Sequence, residues 1–154
     1  MTVSEILAAI PKLSVLVVGD ICLDRWCTYD PDAADISRET GIPRIGVVAT
    51  EVTPGAGGTV ANNLAALGTG RVSVLGVIGD DGFGFELRRA LAARGIEDEL
   101  LVTDASLATF TYTKLINGKT GNEDQPRVDF INARTLAEEP ERKLIERLLA
   151  AAAS

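Results

Sequence analysis

Histidine is absent from this chain of 154 residues, and cysteine occurs only at Cys22 and Cys27. Without histidine there is no histidine-based nucleophile triad, and with two cysteines at most the usual His/Cys zinc sites are excluded. A pair of cysteines with no framework spacing reads as buried thiols of a cytoplasmic protein, not as disulfide staples. Positive charge is also scarce. Fifteen Lys and Arg stand against 22 Asp and Glu, for a net charge of -7 and a pI near 4.6. No basic patch stands out, so nucleic acid is not an expected partner. No apolar run reaches membrane-spanning length, and residues 1–10 carry Glu5 and lack the charged start of a secretory leader. A membrane is therefore not an expected partner either. Repeats and low-complexity tracts are missing too. What remains is an ordinary globular composition, 46% hydrophobic and 24% charged, long enough for one domain with a core and too short for two.

The chain then reads as alternating strands and helices. Val15-Leu16-Val17-Val18 is apolar on both faces and ends at Gly19-Asp20, the pattern of a buried parallel strand. Residues 26–53 are mixed and broken by Pro31, Gly41, Pro43 and Gly46, which predicts loop plus one or two strands, the clearest over 45–52. Residues 60–67 have helical apolar spacing and stop at Gly68. A second buried strand is predicted over 72–78. A helix over 83–93 follows, with Asp81 as its cap and Gly95 as its end. A short strand is expected at 100–102, then two strands over 110–116 and 127–131 joined through the tight-turn dipeptide Asn117-Gly118. A last helix starts near Pro140 with acidic residues in its first turn and apolar Leu144, Ile145, Leu148 and Leu149 on one face. The order predicts an α/β fold with a mainly parallel sheet and a side sheet.

Two segments carry candidate chemistry. Gly55-Ala56-Gly57-Gly58-Thr59 opens a helix. Free N–H groups and close backbone approach there suit an anionic or hydroxyl-rich ligand. The segment lacks the spacing of a dinucleotide fingerprint or a P-loop; its plain alternative is a glycine turn capped by Thr59. Gly19-Asp20-Ile21-Cys22-Leu23-Asp24 lies at the carboxyl end of the first strand, where open α/β sheets bind ligands. The plain alternative is that Asp20 and Asp24 cap a turn. Taken together, an acidic strand end and a glycine-rich helix start suggest a polyol or sugar site. Asp80 and Asp81 read as turn and helix caps, Trp26 as packing, and Cys22 as a small buried side chain beside the site.

The residues also resemble a family. Val17-Val18-Gly19-Asp20-Ile21-Cys22-Leu23-Asp24-Arg25, the run from Pro54 through Gly68, and Gly79-Asp80-Asp81-Gly82-Phe83-Gly84 are similar to the ribokinase-like (PfkB-type) carbohydrate kinases. The opening G-D-x-x-L-D-R, residues 111–115 and Arg127-Val128-Asp129-Phe130 resemble most the heptose-7-phosphate kinase branch. The likeness runs from about Leu13 to the last helix. It implies a ribokinase-like α/β fold, a mainly parallel sheet flanked by helices, with a small β lid built from about 26–53 and 108–131. It implies ATP-dependent transfer of phosphate to a sugar hydroxyl. Asp24 falls where the family holds sugar hydroxyls, and Gly55, Ala56 and Gly57 fall on its sugar loop. Two departures stand in that loop: Ala56 replaces a glycine, and Thr59 replaces the sugar-binding asparagine. Lys114 and Arg127 are either phosphate contacts or solvated strand cations.

The family's G-A-G-D element, with catalytic aspartate and anion hole, does not occur in these residues. The resemblance therefore implies the N-terminal half of such a kinase: sugar side and lid present, catalytic and nucleotide side missing. No catalytic or metal-binding residue is assigned. ATP and Mg2+ belong to the full-length family, and tight binding of either to this chain is not expected. A sugar or sugar phosphate is the expected ligand, and a second copy meeting the lid is the expected partner. Two rival readings stay open: a non-catalytic module that binds a sugar or a partner, and another nucleotide-binding α/β enzyme using the Gly55 loop for phosphate.

Overall fold

Apolar runs and glycine breaks become four helices and ten strands along residues 2–153, the part of the chain that the computed structural model describes. In chain order these are α1 (Val3–Ala9), β1 (Ser14–Val18), β2 (Ile21–Tyr29), β3 (Asp35–Ile36), β4 (Pro43–Arg44), β5 (Val47–Ala56) and α2 (Gly57–Ala66). Then come β6 (Arg71–Leu75), β7 (Val77–Gly79), α3 (Gly82–Ala92), β8 (Val102–Asp104), β9 (Thr111–Asn117), β10 (Val128–Phe130) and α4 (Glu138–Ala152). No helix among the described residues is long and apolar enough to cross a membrane.

Parallel pairing builds one layer: β1 lies beside β6, and β7 beside β8. Sequence alone predicts one strand over 72–78, but the structure breaks it at Gly76 into β6 and β7. A Cβ at Gly76 would meet the Gly19 carbonyl oxygen at 2.5 Å, so the break is where the turn after β1 presses against its neighbour. The second layer is a four-stranded sheet ordered β10-β9-β2-β5, with β2 antiparallel to β5 and parallel to β9. It draws on both segments, 26–53 and 108–131. The first of these is more regular than expected, because nine-residue β2 runs straight through its beginning.

Helices α2 and α3 close the core. Ile21 and Leu23 of β2, Ala61 of α2, Val72 and Val74 of β6, Ile78 of β7, and Leu87 and Leu91 of α3 form one buried cluster. Asp81 caps α3 as expected, its Oδ1 accepting from the Gly84 N–H at 2.7 Å. Its other oxygen accepts from the Thr109 N–H at 2.9 Å, so one carboxylate ties the start of α3 to the residue that leads into β9. Burial raises its pKa, but the N–H groups of Thr109 and Gly84 outweigh that and hold it below the usual value.

Three expectations are corrected. β1 is not buried on both faces: Val18 is 45% exposed, because among the described residues β1 pairs with β6 alone. Leu148 and Leu149 of α4 are likewise exposed rather than packed. Thr59 does not cap α2. Helix α2 begins at Gly57 with Ala56 at the cap position and no side chain bonded to its free N–H groups. The Thr59 hydroxyl instead donates back to the Pro54 carbonyl at 3.3 Å.

Candidate functional site

Alternation along a strand sends successive side chains to opposite faces of the sheet. In β2, Leu23, Arg25 and Cys27 take the face toward α3; Cys22, Asp24 and Trp26 take the other. Pairing register extends that second face across the sheet. Asp24 lies between Thr53 of β5 and Tyr112 of β9, and Trp26 between Glu51 and Lys114. Asp129 of β10 is the partner of Tyr112. One face thus gathers Asp24, Lys114 and the base of the glycine loop, with Arg127 at its margin.

Asp24 is not at a strand end, as the sequence suggested, but four residues into β2. The chain turns at Gly19-Asp20 and immediately starts a new strand, which carries Asp24 up the sheet to the glycine segment. Gly55 sits directly against it: a Cβ there would fall 2.7 Å from Cys22 Sγ and 2.9 Å from Asp24 Cγ. Glycine is therefore required by space. No side-chain hydrogen bond or ion pair occupies the Asp24 carboxylate among the described residues, although the residue is half-buried. An acceptor held beside bare backbone and left unspent is suited to bind hydroxyl groups.

The turn into α2 carries the loop's second distinctive feature. Ala56 adopts φ 50 and ψ -118, a conformation that strains any residue with a Cβ and that glycine adopts freely. The Gly57 N–H donates to the Asp20 carbonyl at 2.8 Å, which pins the helix start to the end of β1. The helix thereby points its N-terminal N–H groups and the positive end of its dipole toward the same corner.

Lys114 and Arg127 are held, not free. Lys114 Nζ lies 4.4 Å from the centre of the Trp26 ring, so Trp26 positions a cation on the open face. Arg127 pairs with Asp129 at 2.7 Å and lies over Tyr112 at 5.3 Å. Cys22 is buried, and burial followed by the charges of Asp24 and Asp20 pushes its thiol up to about 11. It stays protonated near neutral pH and is no nucleophile. Sequence reasoning missed Tyr112, Thr53 and Glu51. Their alternation was visible, but nothing in it indicated that they lie opposite Asp24 and Trp26.

Beside this face, at the carboxyl ends of β1 and β6, lies a cavity of about 290 Å³ lined by Gly19, Asp20, Gly76, Phe110, Asn132 and Arg134 among others. Asn132 is fixed by two bonds to the Ala108 backbone, at 3.0 and 2.8 Å. Strand-end cavities are where open α/β sheets hold ligands. No group of three His, Cys, Asp or Glu side chains that could hold a metal ion occurs among the described residues.

Comparison with known proteins is consistent with this geometry. Residues 12–151 match the pfkB family carbohydrate kinase domain. The bifunctional protein HldE of Rhodopseudomonas palustris (strain BisB18) is 39% identical over 112 residues, 73% of this chain and 22% of that protein. The bifunctional protein HldE of Geobacter sulfurreducens is 32% identical over 146 residues, 95% of this chain and 29% of its own length. The chain thus spans under a third of these relatives. Among solved structures, phosphofructokinase-2 from Escherichia coli in complex with fructose-6-phosphate superposes with a TM-score of 0.59 at 19% identity, over 90% of this chain and 42% of that one. A carbohydrate kinase from Agrobacterium tumefaciens superposes at 0.55 and 23% identity, over 75% and 34% of the two chains. At those identities they share the fold.

Proposed function

The chain belongs to the pfkB family of carbohydrate kinases, and we propose that it supplies the sugar-binding side of an ATP-dependent kinase acting on a heptose 7-phosphate. One observation carries the reading: the unspent Asp24 carboxylate beside Gly55, on a sheet face that also holds Lys114. Asp24 accepts hydrogen bonds from sugar hydroxyls. The backbone of Gly55, Ala56 and Gly57 lets the ring approach closely. Lys114 and Arg127 offer positive charge to the phosphate that the substrate already carries. Thr59, with its hydroxyl turned to Pro54, contributes through its backbone N–H at the start of α2. The resemblance of the opening G-D-x-x-L-D-R, residues 111–115 and Arg127-Val128-Asp129-Phe130 to the heptose-7-phosphate kinase branch favours the heptose assignment over other sugars.

ATP and Mg2+ are the remaining reactants in this reading, and the residues present do not fit them. No glycine-rich phosphate loop with its lysine and no G-A-G-D element occurs in the sequence, and no metal-holding group forms among the described residues. No step of phosphoryl transfer is assigned to this chain, and we place those groups in the rest of the kinase fold. The rival reading of a nucleotide site at the Gly55 loop would need a phosphate next to the Asp24 carboxylate, an unfavourable pair of like charges.

Titration with a heptose 7-phosphate tests the reading, followed by calorimetry and amide chemical shifts. Binding should centre on Asp24, Gly55 and Lys114. Asp24→Ala should weaken it by about tenfold or more, as expected for loss of a charge-assisted bond of roughly 1.5–3 kcal/mol. Tight ATP binding to the chain, or sugar affinity indifferent to Asp24→Ala, would overturn the reading. We also propose that the four-stranded sheet pairs with a second copy through its β5 edge, which displays the exposed Val47 and Val48. Sedimentation velocity at micromolar concentration should then show a dimer or a larger species; a clean monomer removes this part of the proposal.

A further inference from the structure

The opposite face of the same sheet is not fully covered by α3. Between them lies a cleft of about 560 Å³, lined by Arg25 of β2, Thr50 and Val52 of β5, and Glu86, Arg89 and Arg94 in and just after α3. Three arginines thus line one concavity together with one glutamate, in a protein whose net charge is -7. Like charges gathered in this way repel unless something neutralises them. Arg44, Arg71, Arg88 and Arg142 are each matched with a carboxylate, of Asp35, Glu97, Asp98 and Glu146 in turn. Arg89 and Arg94 have no such ion pair among the described residues. Arg89 lies over the Phe85 ring, and Arg94 spends one N–H group on the Ala90 carbonyl.

Arg25 has an ion pair of poor quality. Its Nε approaches Glu86 Oε2 to 3.1 Å, yet both atoms are buried and neither makes a well-directed hydrogen bond. The end of a helix favours basic residues through its dipole, which accounts for one cation at the end of α3. It does not account for two of them lining one cleft with Arg25 of the sheet.

We propose that this cleft is a second, anion-binding site that takes a small molecule carrying phosphate groups. Guanidinium forks match phosphate oxygens in pairs, and the surplus of two positive charges matches a phosphate dianion better than a single carboxylate. The volume falls within the range of small-molecule sites. Arg25 would turn from its ill-directed contact with Glu86 to a phosphate oxygen, while Arg89 and Arg94 close on it from α3. The site is separate from the sugar face, because Arg25 and Asp24 leave β2 on opposite sides.

Inorganic pyrophosphate titrated into the full chain at constant ionic strength tests the proposal, read by calorimetry and amide chemical shifts. Saturable binding to one site is expected, with shifts centred on Arg25, Thr50, Arg89 and Arg94. The double variant Arg89→Gln/Arg94→Gln should weaken it by about tenfold or more, a loss of about 1.4 kcal/mol. Glu86→Gln should tighten it several-fold by removing the competing carboxylate, and Arg142→Gln and Asp24→Ala should leave it unchanged. The opposite signs at Arg89/Arg94 and Glu86 separate a ligand site from a general loss of structure. Absence of saturable binding, shifts confined to the start of α2, or an affinity unmoved in the double variant would overturn it.

Discussion

The two faces of the four-stranded sheet are written in alternate residues of the same strands, yet they have different physics. Toward α3, Leu23 is fully buried, Phe83 and Phe130 meet at 4.6 Å, and Arg25 lies 5.1 Å from the Phe83 ring. On the other face the half-buried Asp24, Trp26, Tyr112 and Lys114 form a polar and aromatic surface. The contrast teaches which residues hold the fold and which are free to serve a ligand. A carboxylate with no side-chain bond among the described residues does little for stability, and that is why Asp24, beside Gly55, carries the proposed sugar site.

Neighbouring substitutions in β2 should separate these roles most sharply. Leu23→Ala removes a side chain with 0% exposure from the core and should cost about 2–5 kcal/mol of unfolding free energy. Asp24→Ala, one residue on, should change stability by less than about 0.5 kcal/mol while it weakens sugar binding. Urea unfolding of the two variants measures both, and equal losses would erase the distinction between the faces.

A smaller effect is expected at the tie between α3 and β9. Asp81→Ala removes the α3 cap and the acceptor for Thr109 and should cost about 1–2 kcal/mol at neutral pH. Because the folded-state pKa of Asp81 lies below its ordinary 3.8, its contribution is complete above that value. It is lost as pH falls through the folded pKa, once the carboxyl is protonated in both states. The difference between wild type and Asp81→Ala should therefore shrink in unfolding series carried from pH 7 to pH 3. A constant difference would show that the carboxylate charge has no part in it.

The smallest effect lies where the open face meets α2. Ala56→Gly relieves the positive φ and should stabilise the chain by about 0.5–1 kcal/mol, after allowing for the greater freedom of glycine when unfolded. Thermal unfolding reads the sign. Destabilisation would mean that the loop gains more from the alanine side chain than it loses to strain.

Much of this organisation was legible in the order of residues. The α2 and α3 helices, the Asp81 cap, the paired strands around Asn117-Gly118 and the family resemblance all rest on local signals: apolar period, capping chemistry and turn residues. Such signals depend on neighbours within a few positions, and sequence shows those directly. The glycine segment was visible as a candidate site for the same reason. The length of β2 was not, because its charged and aromatic residues hide the alternation of a strand that has one face in the core and one open.

What only the tertiary structure decided is the pairing. Strand register put Asp24 between Thr53 and Tyr112, brought Lys114 over Trp26, and turned Arg25 the other way, to Glu86 and Phe83 of α3. These partners lie tens of residues apart, and a shift of one residue would exchange the two faces. The sequence by itself determined the family, the elements and the candidate residues, since composition, period and motif are properties of the chain alone. Which residues share a face, whether Thr59 caps or bonds back to Pro54, and whether β1 is covered depend on distances set only when the sheets close on their helices.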